Sequence, residues 1–458
     1  MTLWESLFRE HGRPAGTLCD AERTVKLDVL DSASCLAGRI DALRNRSVVV
    51  AVRDQLTAAL LLLELDGVAS RLVVCPGGIA PEHMAYIVRT AECDAWIGDG
   101  HGGSPPQDVG LSLCLDASHD PQPCAVTRRK DHDTEWILLT SGTTGAPKLV
   151  RHTLASLCNF ISPDGSRTTW STFYDIRRYG GLQIFLRALR GGSLVLPGQD
   201  ESPEAFLPRA AEEGVTHISG TPSHWRKVLM SGAAQHFSPA YVRLSGEIAD
   251  QGILDGLRAA FPNALVAHAF ASTEAGVGFE VEDGLAGFPA ALISEARHGV
   301  EIDVGRGTLR LRSPGNAFDY LGDGPPLKDP DGFVSTGDRL DLRGGRYYFM
   351  GRSGGIINVG GLKVHPEEVE ALINSHPAVR MSLVKARRNP ITGAVVAADV
   401  VLNSTLADGH LLDVQQRIRQ EILGICRTGL AAHKVPALVH FVPALAVSPS
   451  GKLIRPDA

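Results

Sequence analysis

The chain has 458 residues, too many for one hydrophobic core, so a large domain and a smaller one are expected. Its 44% hydrophobic and 21% charged residues fit an ordinary globular protein, and a net charge of -6 with no basic stripe argues against nucleic acid as a partner. The eight cysteines, at 19, 35, 75, 93, 114, 124, 158 and 426, have no Cys-x-x-Cys spacing and read as reduced core residues of a cytoplasmic protein, with neither zinc nor disulfides.

The opening, MTLWESLFREHGRPAG, mixes charges and lacks an apolar run, so it is no signal peptide; Leu56 to Leu65 is too short to span a bilayer, and no membrane association is expected. From Ser47 the pattern predicts strand Ser47–Val52, helix Gln55–Leu65, strand Arg71–Cys75, helix Pro81–Thr90 and strand Ala95–Gly98, an alternation that means parallel sheet with crossover helices. Residues 99 to 132, rich in Gly, Pro, Asp and His, read as a loop-rich bridge. Further on, helices are expected at Leu154–Ile161 and Leu182–Leu189, then strand Ser193–Leu196 and a helix from Pro203, behind Ser202 as N-cap, to Gly214. Strands Thr216–Ser219, Tyr241–Leu244 and Ala264–Phe270 alternate with helices from Pro222 and from Asp250 to Phe261, which makes a second α/β sheet. Residues 300 to 350 carry short β-rich pieces (Val300–Val304, Thr308–Leu311, Tyr347–Met350) and suggest a small β subdomain. After Gly351 come helix Pro366–Ser375, a hairpin across Asn389 to Gly393, helix Leu412–Arg427 and strand Ala437–Val442, a compact α+β unit of about 100 residues.

The chain is organised around residues 136 to 150, WILLTSGTTGAPKLV. The apolar run from Trp136 to Leu139 reads as a buried strand. It stops in Thr140-Ser141-Gly142-Thr143-Thr144-Gly145, where backbone N–H groups and hydroxyls can converge on an anion, with Lys148 supplying charge. Two residues separate Gly145 from the lysine and Leu149 follows it, so this is not a P-loop of the G-x-x-x-x-G-K-[ST] kind.

TSGTTGAPK resembles the signature loop of the adenylate-forming superfamily, the acyl-CoA synthetases, aryl-acid ligases and adenylation domains, and further blocks of that family follow in order. The resemblance implies an α/β fold: a large N-terminal domain (1–351) of two α/β sheets plus a small β subdomain, then a smaller, mobile α+β C-terminal domain (352–458). It also implies roles. Thr140 to Gly145 and Lys148 would cradle the phosphates of ATP. Ser245-Gly246-Glu247 would form the turn that meets the adenine. In HAFASTEAG, Phe270, Ala271 and Ser272 would lie at the nucleotide, Thr273 would bond the α-phosphate, and Glu274 would hold magnesium. Ala271 stands where the family usually has glycine.

In STGDRL, Asp338 after Gly337 reads as a tight-turn residue that would accept the ribose hydroxyls, with Arg352 as its partner. GRSGGIINVGGLKVHPEEVE is nearly as specific as the loop: Gly354 falls at the family's hinge, where Asp or Lys is usual, and Gly360-Gly361 would line the channel for a thiol arm. Asn358 replaces a lysine common in relatives. In SPSGKLIR, Lys452 matches the lysine that neutralises charge during adenylation, although a tail lysine taken alone would be solvated and idle.

The implied reaction joins a small carboxylic acid to ATP and then to coenzyme A. A carrier-protein phosphopantetheine, hence an acyl carrier protein as partner, is the alternative acceptor, and a non-catalytic nucleotide-binding relative is a third reading. Family position assigns the acid pocket to YDIRRYGG, Ser223-His224-Trp225 and the aromatic block, with Arg178, Tyr179, Gly180, His224 and Ala271 as candidate lining. Arg177 and Arg178 raise a second polar or acidic group on the substrate; the plainer reading is that they face solvent or pair with Asp175, and that Trp225 is core.

Overall fold

The computed structural model describes residues 2–8, 16–100, 104–125, 130–140, 146–161, 168–190, 192–352, 355–359, 362–389, 393–403, 411–448 and 452–454. Two α/β sheets dominate it. In the first, strands Glu135–Thr140, Arg71–Val74, Ser47–Val50, Ala95–Gly98 and Leu113–Asp116 lie side by side and parallel. Helix Gln55–Leu65 crosses between two of them; Asp54 caps it by accepting the N–H groups of Leu56 and Thr57, and its side chains from Leu56 to Leu65 are all buried. A helix apolar on every side must be covered on every side. It lies where Val48, Val50, Leu72 and Leu138 of the first sheet share one core with Leu18, Trp170 and Leu194 of the second.

The second sheet runs Gly276–Val281, Leu265–Ser272, Tyr241–Ser245, His217–Gly220, Thr169–Thr172, Ser193–Val195, Thr17–Cys19 and Thr24–Lys26. Its outer face packs Val242, Leu244 and Ile218 against helices Pro203–Glu212, Pro222–Ser231 and Gln251–Ala260. A five-stranded antiparallel sheet is built from Phe288–Pro289, Glu301–Gly305, Thr308–Arg312, Val334–Arg343 and Arg346–Arg352. Beyond it, hairpin Ile357–Val359/Leu362–Val364, helix Pro366–Asn374, paired strands Val379–Asn389 and Gly393–Leu402, helix Leu411–Gly429 and strand Leu438–Phe441 enclose a separate core that includes Ile357, Val369, Val400 and Ile422.

Helices Gln55–Leu65 and Pro81–Thr90 have the expected limits, and most other elements differ by a few residues at their ends. Four readings are corrected. The bridge at 99–132 supplies the edge strand Leu113–Asp116, and residues 17 to 26, for which no element was expected, join the second sheet with Leu18 beside Leu194; three- and four-residue strands are too short to show a period. Lys148 does not end a loop but opens strand Lys148–Thr153, antiparallel to Glu135–Thr140, onto which Asp319–Leu321 also pairs. Asp338 lies inside the ten-residue strand Val334–Arg343, where Gly337, at φ +74°, and a register shift interrupt an otherwise continuous ladder. The eight cysteines are free, and Cys114 is exposed rather than core.

Candidate active site

Strands Glu135–Thr140 and Lys148–Thr153 set Thr140 opposite Lys148 at the mouth of the first sheet. Ser141, Gly142, Thr143, Thr144 and Gly145 lie outside the described residues. Thr140 Oγ1 is buried with no partner among those described. The Lys148 ammonium stands 5.0 Å from the ring centre of Tyr320, whose hydroxyl donates to Glu274 at 3.5 Å. The phosphate lysine and the metal carboxylate of the sequence reading are therefore joined through one tyrosine.

His152 is a site residue the sequence reading missed. The two-residue period of a strand puts Lys148, Val150 and His152 on one face, and this was the available signal. Its Nε2–H donates to the Thr273 carbonyl at 2.7 Å, which leaves Nδ1 to accept from the Ser156 hydroxyl at 2.9 Å. Burial pushes its pKa down to about 4, so the ring is neutral and its tautomer fixed.

Thr273 and Glu274 form the turn between strands Leu265–Ser272 and Gly276–Val281. Ser272 Oγ holds that turn by accepting Ala275 N–H at 2.9 Å. Phe270 lies in a stack with Phe349, 5.5 Å away at 8°, and Phe279. One strand over, Tyr174 donates to the Ser245 carbonyl at 2.7 Å, and Gly246 turns the chain at φ +84°. The Glu247 carboxylate accepts Ser223 N–H (2.9 Å), the Ser223 hydroxyl (3.0 Å) and, from the chain's tail, Leu453 N–H at 3.1 Å.

That last bond delivers Lys452. Val447 and Leu453 form an antiparallel bridge, closed by Ser448 N–H to the Lys452 carbonyl at 2.7 Å. The lysine stem lies against Gly246: a Cβ there would stand 3.3 Å from Lys452 Cε. Water reaches the side chain, yet protein surrounds it. The protein packed around it, and then the charge of Arg352, lower its pKa from the ordinary lysine value, against the pull of Glu247, Asp338 and Glu274. Asp338 and Arg352 face each other across the strand pair with a 3.4 Å contact. Gly354, Gly360 and Gly361 lie outside the described residues.

The two arginines near the expected acid pocket part company. Arg177 is buried, paired with Asp175 through Nε and Nη2, and donates to the carbonyls of Val52 and Arg53; it is a structural clamp, the plainer of the two readings. Arg178 is half-buried at the N-cap of helix Tyr179–Ala188. Tyr179 is buried, and a Cβ on Gly180 would touch the Tyr174 ring at 3.5 Å. His224 closes a capping box with Thr221, is held neutral by burial, with a pKa of about 4, and stacks on Phe173. Trp225 is fully buried core.

The family model for AMP-binding enzymes matches residues 28–304, and that for the AMP-binding enzyme C-terminal domain matches 368–452. The chain belongs to the AMP-binding enzyme family. This AMP-binding enzyme is 26% identical to a 2-succinylbenzoate–CoA ligase of Bacillus licheniformis over 94% of the chain and 93% of that protein. It is 28% identical to an anthranilate–CoA ligase of Pseudomonas aeruginosa over 70% of the chain and 66% of that protein. Its fold matches the crystal structure of an anthranilate CoA ligase in complex with anthranoyl-AMP, with a TM-score of 0.82 over 99% of this chain and 95% of that one, at 19% identity.

The residues present fit a nucleotide. Asp338 Oδ2 is buried without a hydrogen-bond partner among the described residues, an acceptor suited to a ribose hydroxyl. Among the described residues no three of His, Cys, Asp and Glu gather to cage a metal, while Glu274 offers one carboxylate beside Lys148. One carboxylate plus substrate phosphates is how magnesium is commonly held.

Proposed function

We propose that this AMP-binding enzyme activates a small carboxylic acid with ATP, giving an acyl-adenylate and pyrophosphate, and then passes the acyl group to the thiol of coenzyme A with release of AMP. The observation that carries the reading is Lys452, whose stem lies against Gly246 and whose neighbour Leu453 donates its N–H to Glu247. A tail lysine with no task has no reason to lie against the Gly246 turn; this one does, although water still reaches it.

The work is charge neutralisation and positioning, so no side-chain nucleophile is needed. Lys148 and Lys452 counter charge on the phosphates and on the attacking carboxylate. Glu274 would hold a magnesium ion, which would supply positive charge at the phosphates, Thr273 would bond the α-phosphate, and His152 positions Thr273 through its carbonyl. Asp338, oriented by Arg352, receives the ribose. Domains 1–351 and 352–458 would rotate about Gly354 between the half-reactions, with the thiol arm entering beside Gly360 and Gly361.

The test is ATP–pyrophosphate exchange over a panel of small aromatic, short-chain and amino acids, followed by AMP release with coenzyme A or a phosphopantetheinyl carrier protein as acceptor. Exchange dependent on one acid supports the reading. ATP binding without exchange on any acid would move the chain to the non-catalytic relatives, and transfer to the carrier protein alone would replace coenzyme A as the acceptor.

A further inference from the structure

Residues 316 to 321 tie the two sheets together. At one end the Ala317 N–H donates to the Glu274 carbonyl at 2.9 Å, and the buried Asn316 side chain donates to the Ala275 carbonyl at 3.0 Å. At the other, the Phe318 N–H donates to the Arg151 carbonyl at 2.7 Å, and strand Asp319–Leu321 pairs with Lys148–Thr153, setting Tyr320 opposite Val150. Residues opposite each other in an antiparallel pair share a face, as do residues two apart in one strand, so Tyr320 lies on the Lys148 side. Backbone bonds thus fix the Glu274 turn against the Lys148 strand, and Tyr320 touches both charged groups.

It meets the two opposite charges with different parts of its side chain. The exposed Lys148 ammonium lies 5.0 Å from the ring centre, inside the roughly 6 Å over which the negative face of an aromatic ring attracts a cation. The half-buried Glu274 carboxylate accepts the hydroxyl at 3.5 Å. Burial, and then the charge of Glu274, push the pKa of Tyr320 up to about 12, so the hydroxyl keeps its proton and stays a donor. Neither Lys148 nor Glu274 forms an ion pair among the described residues, although both touch the same half-buried side chain.

A lysine and a glutamate within reach of one residue are within reach of each other. A direct pair between them would occupy the two groups that the phosphates and their metal require, and it would have to be broken before ATP could bind. The ring contact is easier to give up. A cation leaves an exposed ring face for a phosphate at little cost, whereas a lysine bound to a carboxylate loses a charge-assisted hydrogen bond.

We infer that Tyr320 is a positioning residue: it keeps the Lys148 ammonium and the Glu274 carboxylate apart, so that the lysine stays available to the phosphates of ATP and the carboxylate to the metal that accompanies them. The inference rests on the roles given to Lys148 and Glu274 in the proposed reaction and adds the group that prevents their charges from cancelling. The ring carries the larger share, as the part that separates, and the hydroxyl the smaller, because its contact is long.

The test is calorimetric titration of single and double variants with magnesium-free ATP, which needs neither an acid nor turnover. Tyr320→Leu removes the ring, lets Glu274 capture Lys148, and should weaken ATP binding about fivefold, the size of one solvent-exposed ion pair that must first be broken. With Glu274→Gln in the background there is no captor, and the same change should cost less than about twofold; a loss of fit alone would cost the same in both backgrounds. Tyr320→Phe keeps the separating ring and should bind ATP within about twofold of the native chain. If melting curves show that Tyr320→Leu does not fold, Tyr320→Met fills the space without an aromatic face and takes its place. Equal losses in both backgrounds, no loss in the native background, or Tyr320→Phe as damaging as Tyr320→Leu overturns the inference and leaves the ligase standing. The expected coupling without pyrophosphate exchange on any acid keeps the spacer and removes the ligase. A native chain that binds no ATP, with magnesium or without, removes both.

Discussion

Thr273 and Lys452, which the proposed reaction brings to one centre, are held by opposite means. Thr273 sits in a turn between two strands of the second sheet, with its carbonyl fixed by a fully buried histidine that belongs to the first sheet. Lys452 arrives at the end of the chain, held by a one-pair bridge, hydrogen bonds within the turn from Ser448 and a single backbone bond to Glu247. Under the proposed reaction the difference has a use. A group that must hold the phosphate is fixed in the core, whereas a group needed only while the adenylate forms is carried on a segment that a few broken hydrogen bonds release.

The strongest test of that contrast is Lys452→Ala. Pyrophosphate exchange should fall about 100- to 1000-fold, as when one preorganised donor to a developing charge is removed, while thioester formation from a supplied acyl-adenylate changes little. Equal losses in both half-reactions would mean that the tail serves both and would break the contrast.

On the fixed side, the test is pH. His152 is fully buried and has a folded pKa of about 4, against 6.5 in an unfolded chain. Between those values the unfolded chain takes up a proton that the native state declines, so stability is lost as pH falls from 6.5 to 4, by up to about 3 kcal/mol. Asp66, raised to about 6 by burial, contributes the opposite slope over part of this window. Comparing melts of the native chain and His152→Gln across pH isolates the histidine. A difference that does not vary with pH would show that its protonation plays no part.

Asp338→Asn keeps the shape but removes the charge at the buried, unpartnered oxygen. Loss of a hydrogen bond to a charged group predicts a KM for ATP raised roughly 10- to 100-fold, with the second half-reaction following only through the AMP moiety. The smallest effect is expected from Glu247→Ala, which frees the tail without touching Lys452. Exchange should fall roughly tenfold and the thioester step should be unaffected. If Glu247→Ala slows both steps equally, the glutamate serves the turn and helix start at Ser223 rather than the tail.

The sequence by itself determined the family, the order of the blocks and most of the alternating elements, because glycine-punctuated loops, caps and apolar periods are local and survive without their neighbours. The helix Gln55–Leu65 was legible from its apolar run. Thr17–Cys19 was not, because three residues show no period and their partner Ser193–Val195 lies far along the chain. The candidate site could be named from sequence where a motif carries it, at Lys148, Glu274, Asp338 and Lys452, whose roles remain part of the proposed reaction. It was not legible where a role depends on which strand face meets which helix. His152 becomes a support for Thr273 only when two sheets come together, and Arg177, beside Arg178 in sequence, turns away to clamp Val52 and Arg53. Tyr320 belongs to none of the blocks named from the sequence. Only the tertiary structure set it against both Lys148 and Glu274, because antiparallel pairing fixes which residues share a face and the hydrogen bonds of residues 316 to 321 decide how the two sheets meet.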